Sequence, residues 1–174
     1  MLIFLSGGAK NGKSTLAQDL SVSLCNNKKL YYLATMIPTD SEDDARIARH
    51  IAERDGMGFV TVECGRNIGA QTWDAEGTYL FDSVTALLSN EMFSTEGFDE
   101  ACPARVAQEL LTFADSVKHA VFVSDYIYND GQIYGEMTEN YRKGLALLDR
   151  TLAARCDIVA EVMNGIPICY KGNL

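Results

Sequence analysis

The chain has 174 residues, 47% of them hydrophobic and 22% charged, which predicts one globular α/β domain over residues 1–174. No apolar run approaches the ~20 residues of a bilayer span, so stable membrane insertion is not expected. The net charge of −9 argues against a general nucleic-acid binder, which needs a broad basic surface.

Short apolar runs alternate with amphipathic stretches, the pattern of a mostly parallel sheet flanked by helices. The spacing predicts strands over 2–6, 30–34, 59–63, 78–82, 120–124 and 158–163, and helices over 13–25, 42–54, 83–93, 104–118 and 138–155. Residues 1–5 have no basic flank and read as a first strand, not a signal peptide. Directly after them comes Gly7-Gly8-Ala9-Lys10-Asn11-Gly12-Lys13-Ser14, which fits G-x-x-x-x-G-K-S/T in strand–loop–helix context. Glycines let consecutive backbone N–H groups curl toward phosphate oxygens, and the helix that follows adds its positive end. Lys13 then reaches the β- and γ-phosphates, and the Ser14 hydroxyl ligates Mg²⁺. The expected fold is a P-loop NTPase of RecA-like type binding GTP or ATP.

The second helix opens on Thr39-x-x-Glu42, read as a capping box, with Asp40, Asp43 and Asp44 at its favourable end. Arg46, His50 and Arg54 follow at i, i+4 and i+8, beside Arg49. These bases either complement the helix dipole or meet the tail of a nucleotide. A neutral imidazole at His50 has the chemistry of a base or nucleophile. Glu63 ends the third strand, either solvated or accepting from guanine N1–H and its 2-amino group. Asp82 ends an apolar strand; alone it reads as a helix cap, but downstream of the phosphate loop it reads as the carboxylate beside Mg²⁺. His119 is read as a strand-edge residue without catalytic company.

Residues 94–100 and 125–137 are expected to lack regular structure, the second forming a substrate loop at a strand's carboxyl end. Tyr141, Leu145, Leu148 and Leu152 form a packing stripe on the last helix. Asn164-Gly165 is a hairpin signal, and Pro167 assigns the final strand, 166–170, to a C-terminal edge. Cys25, Cys64, Cys102, Cys156 and Cys169 have no metal-ligand spacing, so they read as small apolar filler in a reduced, cytoplasmic protein.

Together these residues resemble the adenosylcobinamide kinase/adenosylcobinamide-phosphate guanylyltransferase family of cobalamin biosynthesis. The similar segments are the phosphate loop Gly7–Ser14, Tyr32-Leu33-Ala34-Thr35, the run from Arg46 through His50 to Arg54, Thr61-Val62-Glu63, Asp82-Ser83-Val84-Thr85 with Ser89-Asn90, and the C-terminal Ala153–Val159 and Gly165-Ile166-Pro167. The resemblance implies phosphorylation of adenosylcobinamide, then transfer of GMP from GTP to the resulting phosphate through a guanylylated histidine. It makes His50 that histidine, with Lys13 and Asp82 catalytic. It also implies nucleotide contacts from Ala34, Thr35, Met36, Ile51, Ala52, Glu53, Arg54 and Glu63, and a homo-oligomer, a trimer. The chain departs from the family pattern where Ser124-Asp125-Tyr126 replaces S/T-N-E, in the tyrosine-bearing loop after it, and at Asp149-Arg150, where the pattern has N-Q. A relative acting on another small acceptor and a nucleotide-binding regulator are the competing readings. A simple binder has no need of the histidine.

Overall fold

Strands β1 (Leu2–Gly7), β2 (Leu30–Ala34), β3 (Phe59–Glu63) and β4 (Thr78–Asp82) form in sequence, with α1 (Lys13–Leu24) and α2 (Ser41–Glu53) between them and a 3₁₀ turn at Ile68–Ala70. Next come α3 (Val84–Met92), the short β5 (Phe93–Ser94) and β6 (Gly97–Phe98), α4 (Cys102–Ser116), β7 (His119–Asp125), α5 (Glu136–Arg155), β8 (Ile158–Met163) and β9 (Ile166–Lys171). The computed structural model describes residues 1–95, 97–128 and 130–174. Glu96 and Asn129, which fall in the two segments expected to be irregular, lie outside the described residues.

The main sheet has the order β3-β2-β4-β7-β1-β8-β9, parallel except for β9 on β8. Its inner strands are continuous apolar runs because helices cover both faces. On one face α3, α4 and α5 enclose an aromatic cluster in which Phe113 meets Tyr79, Phe81 and Phe122 at ring separations of 5.4, 5.6 and 5.8 Å. On the other, Leu16, Ala17, Leu20 and Leu24 of α1 pack on Ile3, Leu5, Leu80 and Val121. Leu145, Leu148 and Leu152 of α5 are fully buried, as their spacing predicts. Asn164 and Gly165 both take positive φ in the β8–β9 turn, and β9 is the edge strand.

Three details differ from the sequence reading. The cap of α2 is Asp40, not Thr39: Asp40 Oδ1 accepts from the N–H groups of Glu42 (2.9 Å) and Asp43 (3.0 Å). A carboxylate is the stronger partner for a helix N-terminus, and Thr39 instead donates its N–H and hydroxyl to Asp43. Part of 94–100 is ordered, since Phe93–Ser94 pairs with Gly97–Phe98 and the Phe93 and Phe98 rings meet at 5.3 Å. Of the cysteines, Cys64, Cys102 and Cys156 are buried filler, whereas Cys169 is exposed and Cys25 half-buried, donating to Lys28 O.

Candidate active site at the carboxyl edge of the sheet

Register brings the candidate residues to one edge. Gly7 pairs with Asp125, Ala34 with both Glu63 and Asp82, and Asp82 with Val123. The phosphate loop, Asp125, Asp82, Thr35 and Glu63 therefore stand in a row above the carboxyl ends of β1, β7, β4, β2 and β3. An open parallel sheet binds its ligands at this edge.

Gly7 leaves β1 tight against β8, where a Cβ would approach Val162 O to 2.5 Å. Asn11 buttresses the loop by donating its side-chain amide to Val162 O and accepting from Gly165 N–H (2.8 Å) through its backbone carbonyl. Gly8, Ala9 and Lys10 are exposed above it. Gly12, at φ +93°, is the N-cap of α1 and has no side chain to cap it; Asn11 Oδ1 accepts from the Lys13 N–H (3.3 Å), and the following N–H groups of the first turn are left for a ligand. Lys13 is buried; its ammonium donates to Gly8 O (2.7 Å) and pairs with Asp125 Oδ1 (2.9 Å). Ser14 follows, half-buried.

A cavity of about 290 Å³ opens beside Asp82, between α2 and the ends of β2 and β3. Met36, Ile47 and Ile51 supply apolar walls, and Tyr32, Asp44, Arg46, His50, Arg54, Glu63 and Asp82 its charged and titratable groups. The helical stripe Arg46–His50–Arg54 thus faces a cavity. Arg54 is buried, with its guanidinium carbon 3.9 Å from the centre of the Tyr32 ring and Nη2 donating to Thr61 Oγ1 (3.0 Å). Tyr32 in turn donates its hydroxyl to Asp82 Oδ2 (2.8 Å). Burial, more than the neighbouring Asp82, pushes the Tyr32 phenol far above its usual range, so it remains a donor. Desolvation raises Asp82, and Asp125 adds to the rise; the Tyr32 bond, His50 and Lys13 oppose it without cancelling it. Asp82 therefore lies within electrostatic reach of both Lys13 and His50.

The other predicted residues take distinct places. Glu53 lies behind His50, its Oε2 3.1 Å from Nδ1. Thr35 is fully buried, its hydroxyl donating to Ser83 O (2.8 Å) and accepting from Ser83 N–H (2.7 Å), so it holds the β4–α3 turn and is not a cavity wall. Ala52 is exposed on α2 outside the cavity lining. His119 opens a central strand at the opposite end of the sheet, with Nδ1 3.0 Å from the Met1 amine; burial and that ammonium hold its pKa below the ordinary histidine range. The sequence reading missed Tyr32, Thr61 and Asp125 as site residues. Asp125 carried the same signal as Asp82, an acid ending an apolar strand.

On the β7 side the loop is tied down. Asp149 is buried and accepts from Ser124 Oγ and Tyr128 OH, each at 2.7 Å, and burial pushes its carboxyl up to about 6. Arg142 donates to the carbonyls of Ile127 (3.2 Å) and Tyr128 (2.9 Å), and Tyr134 donates to Asp130.

The family model described as cobinamide kinase / cobinamide phosphate guanyltransferase matches residues 3–170. The chain belongs to this family. A relative, the bifunctional adenosylcobalamin biosynthesis protein CobP of Pseudomonas aeruginosa, is 27% identical over 173 residues, covering 95% of each chain. Among solved structures, an ATPase domain aligns with a TM-score of 0.53 at 9% identity, over 92% of this chain and 68% of that one, a likeness of fold alone. The fold is that of a P-loop NTPase, with β7 standing between the phosphate-loop strand and the strand that ends in Asp82.

Proposed function

We propose that this member of the cobinamide kinase / cobinamide phosphate guanyltransferase family phosphorylates adenosylcobinamide and then transfers GMP from GTP to the phosphate, through a guanylylated His50. The observation that carries this reading is the cavity that joins His50, Arg54, Glu63 and Asp82 at the same sheet edge as the phosphate loop. From β1 to β3 there are four inter-strand steps, about 19 Å, which matches an extended nucleoside triphosphate with phosphates on the Gly7–Ser14 loop and base at Glu63. The apolar walls at Met36, Ile47 and Ile51 suit a purine, and the Glu63 carboxylate suits the two adjacent donors of guanine.

Ser14 and Asp82 are hard oxygen donors. Among the described residues no three His, Cys, Asp or Glu side chains converge on a metal site. One carboxylate and one hydroxyl beside a phosphate loop fit Mg²⁺, which takes its remaining ligands from phosphates and water. When bound there, the ion neutralises charge developing on the phosphates.

In the guanylyl step, Glu53 accepts the Nδ1–H of His50 and leaves Nε2 with its lone pair. Nε2 attacks the α-phosphorus and forms an N–P bond, while the bond to pyrophosphate breaks and Lys13 and the loop N–H groups hold the leaving oxygens. A phosphate oxygen of the acceptor then displaces His50. In the kinase step, the proposed acceptor of the attacking hydroxyl's proton is Asp125, a carboxylate at the phosphate loop that pairs with Lys13 at 2.9 Å. A cytoplasmic homo-oligomer, trimeric by family resemblance, belongs to the same proposal; no helix among the described residues is long and apolar enough to cross a membrane.

The test is incubation with α-labelled GTP and Mg²⁺. Acid-labile, alkali-stable label on the wild-type protein, lost in His50→Ala by four or more orders of magnitude in rate (about the scale of removing a nucleophile), is the expected result. Wild type that binds GTP but takes no label would refute the histidine mechanism.

A further inference from the structure

A second cavity, of about 420 Å³, lies beyond the carboxyl end of β3 and takes no part in the chemistry above. Arg66, Asn67, Asn90, Glu91, Asp99 and Arg105 contribute to its lining. The two cavities share a wall. Asn90 Nδ2 donates to Thr35 O (2.7 Å) and Gly65 O (2.9 Å), and Thr35 holds Ser83, which lines the first cavity. Helix α3 runs past both, with Ala86 in the first and Asn90 in the second, about 6 Å apart at 1.5 Å per residue. The two cavities therefore flank the same stretch of α3, about one helical turn apart.

Most of the polar groups here are already partnered within the protein. Arg105 donates to Glu91 and Glu109, each at 2.8 Å. Glu91 also accepts from Asn67 N–H (2.6 Å), and Asp99 accepts from Ala101 N–H (3.0 Å). Arg66 differs. Its Nε is buried without a hydrogen-bond partner, and no ion pair among the described residues engages its guanidinium. A buried donor left unmade is costly, and such exceptions in a folded protein call for a functional explanation.

The lining also decides what kind of group completes it. Among the described lining residues Arg66 and Arg105 are balanced by Glu91 and Asp99. A phosphate entering it meets two carboxylates. A neutral group that accepts and donates side by side suits it better, and a primary carboxamide does both: its carbonyl takes the guanidinium N–H, and its NH₂ donates to a carboxylate.

We propose that this cavity docks the carboxamide-bearing periphery of the acceptor, with Arg66 donating to an amide carbonyl while the reacting end crosses α3 into the nucleotide cavity. The inference rests on the reading that the acceptor is a cobinamide. It is tested with Arg66→Ala and Arg66→Gln, the second keeping a long polar side chain, after matched melting curves establish that both fold. Cobinamide binding followed by its absorbance, acceptor KM, GTP affinity and His50 labelling are measured on the full chain. Acceptor Kd and KM should rise by about ten- to hundredfold in Arg66→Ala, the scale of losing a hydrogen bond to a charged group, with GTP affinity and His50 labelling unchanged. Acceptor Kd within about twofold of wild type in both variants, while wild type binds and phosphorylates adenosylcobinamide, overturns the subsite and leaves the function standing. Loss of GTP affinity in place of acceptor affinity reassigns Arg66 to the nucleotide and also overturns it. Competition by inorganic phosphate that requires Arg66 marks an oxyanion site and overturns the carboxamide assignment. Wild type that binds GTP but neither binds nor phosphorylates adenosylcobinamide overturns the function and the subsite together.

Discussion

At the β2–β3 end of the carboxyl edge, Arg46, His50, Glu63 and Asp82 turn toward an open cavity, and α2 above them buries none of its own residues. At the β7 end, Asp149 and Arg142 turn inward on the protein, holding Ser124, Tyr128 and the carbonyls of 127 and 128. Similar residue types thus serve opposite ends. Where charged groups line a cavity, their chemistry is available to a ligand. Where they satisfy the backbone and one another, they fix a loop. The first end leaves its charged groups available to a ligand, whereas the second spends them on its own loop.

The sharpest way to break this contrast is Asp125→Asn, because Asp125 stands where the two ends meet. Phosphoryl transfer to adenosylcobinamide should fall by about two to four orders of magnitude, while His50 labelling from GTP is unchanged. A parallel loss of both activities would show that Asp125 acts through Lys13 on every nucleotide reaction. Substitution at Asp149 should be felt in stability instead. Its folded-state pKa of about 6 lies above the ordinary 3.8, so its favourable contribution is fully present below about pH 4 and lost as pH rises through about 6. The shift corresponds to about 3 kcal/mol, which Asp149→Asn removes. Urea midpoints of the two proteins, compared at about pH 4 and about pH 7.5, should shift in favour of Asp149→Asn toward the higher pH; a constant difference would mean Asp149 is not desolvated.

Glu63→Gln probes the nucleotide end alone. It should lower the preference for GTP over ATP by about ten- to hundredfold, the scale of one paired base contact, without altering melting temperature. Equal affinity changes for both nucleotides would place Glu63 outside base recognition. The smallest effect expected is dynamic. GTP should give Ile47 and Ile51 a surface to pack on and slow amide exchange over Ser41–Glu53 by about tenfold, leaving α4, already buried against the core, unchanged.

The elements, the phosphate loop and the hairpin turn were legible because each depends on neighbours within a few residues: apolar runs, Gly-x-x-x-x-Gly-Lys-Ser spacing, and Asn-Gly at positive φ. His50 was legible as chemistry but not as placement, since the same stripe of bases fits a helix C-terminus exposed to solvent. Thr35, which the family resemblance sets at the nucleotide, holds Ser83 through its hydroxyl, a partnership across 48 positions that no local pattern encodes. Asp125 closes an apolar strand as Asp82 does, but its place beside Lys13 emerges only when β7 is set beside β1. Arg66 is an unremarked arginine until α3 and the β5–β6 hairpin close around it. Sequence by itself determined which groups exist and which local geometry they adopt, because backbone propensity and side-chain periodicity act over one or two turns. Only the tertiary structure decided which of them face a cavity and which face each other, because strand order and burial are set by contacts between segments far apart in the chain.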